Sequence, residues 1–197
     1  METSILVIGS GIAGLSFALK ASKIGQVAIA TKKGAFISNT ADAQGGIAIP
    51  TSAADGKKHI SDTLNAGRGI CNEEAVGLMV RNARSRIREL VDWGVKFERT
   101  NGDFKRTLEA GHSAPRIVYN ADATGKAIEH KLVTLAKENG NIELMENLGL
   151  VDLERGAKVA GFRGYFLKGD AALMSVALWQ LAFEMWVKKG FIPLIAP

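Results

Sequence analysis

The 197-residue sequence predicts an α/β fold, in which a Rossmann-like βαβ unit comes first and a long helix with a short strand lies near the C-terminus. Two observations support this prediction. A short apolar run, residues 4–8, leads into a glycine-rich loop and an apolar-periodic stretch, and a second apolar run at residues 27–30 closes the unit. Farther along the chain, residues 171–189 form a helix candidate with clear terminal signals.

The glycine-rich loop reads Gly9-Ser10-Gly11-Ile12-Ala13-Gly14, which is the spacing of a dinucleotide-binding motif. Gly9 permits a tight turn, Gly11 lets the backbone approach a pyrophosphate, and Gly14 allows the helix to pack closely on the strand. The helix N-terminus then offers free amides and a partial positive charge to phosphates. Residues 30–33 lack the acid that usually binds a ribose hydroxyl in NAD enzymes, so the motif does not favour a plain NAD enzyme. A glycine-rich turn in an ordinary α/β domain remains the alternative.

The other elements are predicted from the spacing of apolar residues and from residues that favour turns and helix ends. Residues 73–93 form a helix with an apolar stripe, whose arginines on the other face are interpreted as a solvated surface. The remaining predictions are a short helix at 59–66, a hairpin turn at Asn101-Gly102 between 95–97 and 104–105, a helix capped by Asp122 or Thr124 and running to about 138, and strands at 142–145 and 148–153.

Composition narrows the function classes. The net charge of +5 is modest and the basic residues are scattered, so no nucleic-acid partner is predicted. The single cysteine, Cys71, excludes an intrachain disulfide and fits a cytoplasmic protein. The chain opens on a strand, so we expect no secretory signal. The longest apolar stretch, 171–187, is short and interrupted by polar residues, so no membrane span is predicted. No metal site is predicted either.

Residues 1 to about 153 resemble the N-terminal part of an L-aspartate oxidase, a family in the succinate dehydrogenase/fumarate reductase flavoprotein superfamily. Several motifs carry this resemblance in the family's order. They are Gly9 to Gly14, Thr31-Lys32, Asn39-Thr40 with Ala43-Gln44-Gly45-Gly46-Ile47-Ala48, Asp62 to Cys71, Trp93 to Phe97, Glu109-Ala110-Gly111-His112-Ser113, Arg116-Ile117 and Asp122-Ala123-Thr124-Gly125.

The resemblance implies FAD as the cofactor. The residues that it assigns to FAD are Gly9, Ser10, Gly11, Ile12, Ala13, Gly14, Lys32, Asn39, Thr40, Ala43, Gln44, Gly45, Gly46, Gly149 and Leu150. Succinate dehydrogenase flavoproteins carry, just before the threonine, a histidine that is covalently attached to FAD. This chain has Asn39 there, and because an amide cannot form that bond we expect FAD to be held non-covalently.

The resemblance also implies a catalytic set of Glu109, His112 and Arg116. A carboxylate such as Glu109 holds the ammonium group of an amino-acid substrate, His112 donates a hydrogen bond or moves a proton, and Arg116 clamps a carboxylate or phosphate. The alternative is a structural histidine in a Gly/Ser loop and a surface arginine. The family usually has two glycines before the histidine, whereas here the first is Ala110. If that position needs a positive φ, alanine costs on the order of 1 kcal/mol there.

The end of the chain departs from this family. From about residue 154 the sequence resembles a seryl-tRNA synthetase near its first class II signature, a region that forms the dimer interface in that family. The sequence motifs for ATP and serine binding are missing, so aminoacylation is not expected. Family members of the oxidase continue for several hundred residues and include a substrate-capping domain and the second half of the FAD domain. We therefore expect two segments, an FAD-binding fragment at 1–153 and a helical tail at 154–197.

The function implied by the first segment is oxidation of L-aspartate to iminoaspartate for NAD synthesis, with oxygen or fumarate as the electron acceptor and with activity impaired by the missing parts. Two alternatives stay open. One is a fumarate reductase or succinate dehydrogenase flavoprotein, against which Asn39 argues. The other is a non-catalytic dinucleotide-binding or dimerising fragment, with the tail as a candidate homodimer surface.

Overall fold

The computed structural model describes residues 3–32, 34–145, 149, 151–162 and 164–194. The chain divides into two compact units. The first comprises Met1–Ala30 and Ala35–Leu144, and the second comprises Thr31–Gly34 and Met145–Pro197. The elements are, in chain order, β1 (Ile5–Ile8), α1 (Ile12–Ala21), β2 (Val27–Ala30), β3 (Ile47–Ala48), α2 (Ala53–Ala66), α3 (Glu73–Asp92), β4 (Arg99–Thr100), β5 (Asp103–Phe104), β6 (Arg106–Thr107), β7 (Ile117–Val118), α4 (Thr124–Glu138), β8 (Ile142–Met145), β9 (Val151–Asp152), α5 (Leu153–Ala160), β10 (Phe166–Leu167) and α6 (Asp170–Lys188).

The predicted βαβ unit is confirmed. Strands β1 and β2 pair in parallel, with Val7 opposite Ile29, and β8 lies on the other side of β2, which gives the order β1-β2-β8. Gly9 adopts a φ of 101°, a conformation that glycine reaches without strain, and so makes the tight turn into α1. A Cβ atom on Gly14 would collide with the carbonyl of Gly9, so this glycine permits the close packing of helix on turn.

The core of the first unit lies where α1 and α4 pack against the buried face of the parallel strands. Its fully buried side chains include Leu15, Ile29, Leu132 and Val133. Helix α4 contributes one apolar face to this core, as the 3.6-residue period requires. Two small antiparallel sheets accompany the core. Strands β3, β7 and β6 form one, in the order β3-β7-β6, and β4 with β5 forms the other.

Several element boundaries differ from the sequence predictions. Helix α2 begins at Ala53 rather than at residue 59, because the Ser52 side chain caps it by accepting a hydrogen bond from the Asp55 amide at 3.1 Å. The hairpin turns at Asn101-Gly102 as predicted, but its strands are β4 and β5 instead of 95–97 and 104–105.

Helix α4 has no side-chain cap. Neither Asp122 nor Thr124 caps it, because its N-cap residue is Ala123 and the Thr124 hydroxyl accepts from the Asn120 amide. The predicted strand 142–145 is β8. The predicted strand 148–153 contracts to Val151–Asp152, and residues 148 and 150 lie outside the described part of the chain.

The second unit contains α5, α6 and a two-stranded antiparallel sheet of β9 and β10. Helix α6 starts after Gly169, so Asp170 is its first residue rather than its cap. The helix is apolar on more than one face, yet none of its residues is buried, and Trp179 and Trp186 are 65% and 53% exposed. Across the described residues, no helix combines the length and the apolar character needed to cross a membrane.

Candidate functional site

A cleft of about 310 Å³ lies between the glycine-rich loop, the loop at residues 38–46 and the first turn of α4. Six of the residues predicted to contact FAD line it together. The lining comprises Ile12, Asn39, Thr40, Ala43, Gly45, Gly46, Ile47, Thr124, Gly125 and Ile128. The FAD residues predicted from the sequence include none of the α4 residues of this wall, although Thr124 and Gly125 stand in a motif that carried the resemblance.

Backbone and hydroxyl hydrogen bonds fix the loop at the edge of this cleft. The Ile12 amide, at the first residue of α1, donates to Thr40 Oγ1 at 3.1 Å. Ser38 Oγ accepts from the amides of Thr40 and Ala41 at 3.1 and 3.2 Å. On the other side, the Gly125 amide donates to the Ala43 carbonyl at 3.0 Å. A Cβ atom on Gly125 would collide with the Thr40 carbonyl, so only glycine lets α4 come this close.

The other predicted FAD residues fall in four groups. Gly9, Ser10, Gly11, Ala13 and Gly14 form the turn and the start of α1, and Gln44 is exposed in the second loop. Lys32 and Gly149 belong to the second unit, where Lys32 is exposed and Gly149 has a φ of 65°. Leu150 lies outside the described residues.

The cleft suits a dinucleotide phosphate. The first amides of α1 have no partner inside the helix, and the helix dipole places partial positive charge at this end. A Cβ atom on Gly11 would come within 3.3 Å of Thr40 Oγ1, so the glycine leaves open a space that a side chain would fill. Of the described residues that line the cleft, none is acidic, so no carboxylate there opposes a pyrophosphate. These features fit FAD.

A second cluster surrounds Arg116, whose side chain is fully buried. Its Nη2 lies 2.7 Å from Asp55 Oδ1, and its Nη1 lies 2.6 Å from Asp62 Oδ2. Both aspartates come from α2, so the arginine pins that helix to the segment before β7. The direct clamp expected of Arg116 requires an accessible guanidinium. In the structure this group faces two carboxylates of its own chain, because burial demands that its charge be paired.

The same guanidinium orients His112. Arg116 Nη1 lies 3.0 Å from His112 Nδ1. Arginine can only donate, so Nδ1 is the acceptor and the neutral ring carries its proton on Nε2. Ser113 completes the arrangement, since its amide and hydroxyl both donate to Asp62 Oδ2 at 2.9 Å. His112 is therefore held as an Nε2–H donor.

Glu109 precedes this cluster on an exposed turn, closed by a hydrogen bond of 3.2 Å from the His112 amide to the Glu109 carbonyl. The positive φ of this turn, 84°, falls on Gly111, and Ala110 is not among the residues with positive φ. The alanine therefore occupies a position that any L-residue adopts, and the expected strain of about 1 kcal/mol does not arise.

Asp55 and His59 are members of the site that were not predicted from the sequence. His59 is 4% exposed on α2, and its ring centre lies 5.4 Å from that of His112. It lines a cavity of about 730 Å³ against α3 that shares Ile12, Gly46 and Ile47 with the first cleft. Only the helical register of α2 brings these side chains together, since residues 55, 59 and 62 follow the i, i+4, i+7 spacing of one helix face. The sequence predicted that this helix begins at residue 59, whereas it begins at Ala53. Asp55 was therefore not placed on the same helix face as His59 and Asp62.

Electrostatics in the cluster follow from these contacts. The hydrogen bond from Arg116 lowers the pKa of Asp55 below its ordinary value, although burial opposes it. The Ser113 amide and then Arg116 hold the pKa of Asp62 at about 2. Burial, followed by the charge of Arg116, lowers the pKa of His59. At neutral pH the cluster thus holds two carboxylates, one guanidinium and an uncharged His59.

The chain matches the protein-family model described as an FAD binding domain over residues 4–175. Among curated relatives, L-aspartate oxidase of Yersinia pestis is 38% identical over 188 residues, which cover 92% of this chain and 34% of the relative. The chloroplastic L-aspartate oxidase of Oryza sativa subsp. japonica is 40% identical over 150 residues, 75% of this chain and 23% of the relative. The chain thus spans about a third or less of the length of these relatives.

Solved structures give the same fold. The Mycobacterium smegmatis Sdh1 complex in its apo form matches with a TM-score of 0.66 at 28% identity, over 73% of this chain and 27% of that one. A quinol-fumarate reductase with menaquinol molecules matches with a TM-score of 0.66 at 24% identity, over 74% and 27%. The predicted fold class and the predicted FAD cofactor are confirmed. This chain belongs to the FAD-binding domain family, within the superfamily of succinate dehydrogenase and fumarate reductase flavoproteins.

Proposed function

We propose that this chain is the FAD-binding part of an L-aspartate oxidase, the enzyme that oxidises L-aspartate to iminoaspartate for NAD synthesis. The observation that carries the proposal is the set of relatives named L-aspartate oxidase, with 38% and 40% identity over 92% and 75% of the chain. The substrate is then a small dicarboxylate. FAD, when bound, accepts the hydride from the substrate α-carbon, and oxygen or fumarate reoxidises it.

We assign the residues of the second cluster as follows. Glu109, exposed beside the site, binds the substrate ammonium group. His112 donates its Nε2 proton in a hydrogen bond to a substrate carboxylate. Arg116 acts through His112 as a positioning residue, because its buried guanidinium fixes the imidazole and is itself fixed by Asp55 and Asp62. A ring held in this way needs no reorganisation when the substrate binds.

For the cofactor we propose non-covalent binding by the residues of the first cleft, joined by Lys32, Gln44, Gly149 and Leu150 as the resemblance implies. Asn39 lines the cleft at the position where succinate dehydrogenase flavoproteins carry the attaching histidine. This asparagine favours the oxidase over the alternative, a succinate dehydrogenase or fumarate reductase flavoprotein. The single cysteine, Cys71, further supports a cytoplasmic location.

We further propose that residues 154–197 form a separate segment, similar to the first class II signature region of seryl-tRNA synthetase, and that residues 170–197 make a homodimer. The support is the exposed apolar surface of α6, because patches of this kind in soluble proteins usually mark interfaces. If the segment only dimerises and aspartate does not reduce the bound flavin, the chain is a dinucleotide-binding module without catalysis, which is the remaining alternative.

The first prediction concerns Gly11. Gly11→Val abolishes flavin binding, because a branched side chain pushes against Thr40 and fills the space needed by the pyrophosphate. Titration of free FAD, followed by quenching of its fluorescence, measures this. The matched control is Gly140→Val, since Gly140 is exposed and a Cβ atom there meets nothing within 4 Å. Equal affinity of wild type and Gly11→Val would mean that the loop is only a turn.

The second prediction concerns the linkage of the flavin. Acid precipitation of the FAD-loaded chain releases all of the flavin into the supernatant, because Asn39 cannot form the covalent bond. The measurement is flavin absorbance in the pellet and in the supernatant. Flavin that stays with the pellet after washing in denaturant would contradict non-covalent binding.

The third prediction tests the catalytic proposal. Aspartate bleaches the absorbance of flavin bound to residues 1–197, but peroxide release by these residues alone stays far below about 1 per second, since a substrate misplaced by about 1 Å costs on the order of 100-fold. His112→Gln removes the bleaching and leaves flavin affinity unchanged. Bound flavin that aspartate never bleaches would identify a binding module, and bleaching by succinate in place of aspartate would favour the dehydrogenase alternative.

The fourth prediction concerns the tail. The whole chain forms a dimer that light scattering detects, and deletion of residues 154–197 makes it monomeric, because the apolar surface of α6 is removed. Trp179→Glu and Trp186→Glu together weaken the dimer without the deletion. A monomer in the whole chain, unchanged by the deletion, would disprove self-association through this segment.

A further inference from the structure

A further pocket, separate from the FAD cleft, lies between the first half of α2 and the middle of α3. Its volume is about 500 Å³. Pockets for small organic molecules usually measure about 300–1,000 Å³. None of the described residues that line this α2–α3 pocket lines the FAD cleft or belongs to the Arg116 cluster. The proposed function therefore gives the pocket no role.

Three exposed cationic side chains line the α2–α3 pocket, Lys57 from α2 and Arg81 and Arg84 from α3. The two arginines are three residues apart and so lie on one face of α3. Of the described residues in the lining, none is acidic. In the part of the chain that the structure describes, none of the three cations pairs with a carboxylate, whereas Arg86 on the same helix pairs with Glu89 at 2.9 Å. The pocket thus concentrates positive charge that its surroundings leave uncompensated.

The Arg84 guanidinium is held in place by backbone carbonyl groups. Its Nη2 donates to the carbonyl of Pro50 at 3.2 Å and to that of Thr51. Thr51 is fixed in turn, because its amide donates to Asp55 Oδ2 at 2.9 Å and Asp55 pairs with the buried Arg116. The hydrogen bonds of Arg84 to described residues all use Nη2, so its Nε and Nη1 hydrogens are available to a ligand. A side chain ordered in this way loses little freedom on binding.

The beginning of α2 adds backbone donors to the same pocket. Ser52 caps the helix, since its hydroxyl accepts from the Asp55 amide at 3.1 Å and its carbonyl accepts from the Gly56 amide at 2.9 Å. The amides of Ala53 and Ala54 have no partner inside the helix, and the helix dipole places partial positive charge there. Ser52 and Ala53 both line the pocket. This helix end therefore reinforces the preference of the three cations for an anion.

The remaining wall of the pocket is an apolar floor, formed by Pro50, Ile60 and Val80. A Cβ atom on Gly56 would meet only Pro50 and Val80, at 3.8 to 4.0 Å, so the glycine leaves this floor uncovered. A charged rim above an apolar floor suits an anion that also carries an organic group, since each part of such a ligand finds a matching surface.

We propose that the α2–α3 pocket binds a phosphorylated small molecule, whose phosphate groups contact the three cations and whose organic part packs on the apolar floor. The planar guanidinium groups of Arg81 and Arg84 match the geometry of phosphate oxygens. Three cations at one rim favour a multiply charged phosphate over a single carboxylate. The proposal goes beyond FAD binding and does not depend on it, because the two sets of lining residues are different.

The first experiment titrates ADP into the chain without FAD and follows the amide signals by NMR. ADP is the probe because it joins two phosphates to an organic ring. The signals of Ala53 and Gly56 shift in a saturable way, and the affinity falls as salt is added, because the contacts are ionic. ADP is also part of FAD, so the signals of residues 9–14 report separately on binding at the glycine-rich loop. Shifts at residues 9–14 without shifts at Ala53 and Gly56 would overturn the proposal.

The second experiment repeats this titration with variants. Arg81→Gln weakens ADP binding in the pocket by about tenfold, because a charge-assisted hydrogen bond is lost. The matched control is Arg88→Gln, which removes an exposed cation of α3 outside the lining and leaves the affinity nearly unchanged. Ala53→Glu abolishes binding by placing a carboxylate in the lining, and an acid in the first turn of a helix stabilises it, so the fold is kept. Unchanged affinity in Arg81→Gln and Ala53→Glu would refute the proposal.

The third experiment tests the class of ligand with two further probes on the same amide signals. Adenosine, which lacks phosphate, and succinate, which offers carboxylates instead, each bind at least about tenfold more weakly than ADP. Adenosine that binds as tightly as ADP would show that the cations take no part. Succinate that binds as tightly as ADP would make the pocket a carboxylate site and refute the assignment to a phosphorylated ligand.

Discussion

The attachment of one loop to two helix N-termini is the constraint on which the FAD cleft depends. Residues 38–46 have no regular structure of their own, so their backbone must find partners elsewhere. They find them at the first residue of α1, through Thr40 and Ile12, and at the start of α4, through Ala43 and Gly125. Each approach is made beside a glycine. Gly11 keeps space beside Thr40, and Gly125 admits the loop carbonyl groups at a distance that any side chain would prevent.

The buried Arg116 cluster holds the other half of the site. Removing one partner of a buried ion pair costs about 3–5 kcal/mol, because the remaining charge is left without compensation. Arg116 has two carboxylate partners, both on α2, and also touches His112. One guanidinium therefore fixes a helix, a turn and the tautomer of an imidazole. Because Arg116 makes these contacts inside the protein, its guanidinium is buried in the fold and does not face solvent as a ligand clamp would.

The described structure leaves a large apolar surface exposed in each unit. In the first unit Leu6 and Ile8, on the same face of β1, are 58% and 81% exposed, and the cavity of about 730 Å³ is bordered by Leu78 and Met79 of α3. In the second unit the surface is that of α6. Contiguous apolar surface of this kind is usually covered by another part of the protein or by a partner. The chain spans 34% of the length of its relative from Yersinia pestis.

The sequence by itself determined the βαβ unit, the glycine-rich loop and the cofactor class, because these depend on local rules. Gly9 needs a positive φ and Gly14 a close approach whatever the rest of the fold does, and the motifs at 39–48 and 109–113 are contiguous in the chain. Only the tertiary structure decided what Arg116 does, since its partners Asp55 and Asp62 are more than 50 residues away and share a helix face that no apolar periodicity marks. It also decided that Ala110 is unstrained, because the φ of a loop residue depends on how the whole turn closes. Glu129 on α4 is the clearest case: on an isolated helix it would be a solvated acid, whereas in the fold its side chain is 1% exposed.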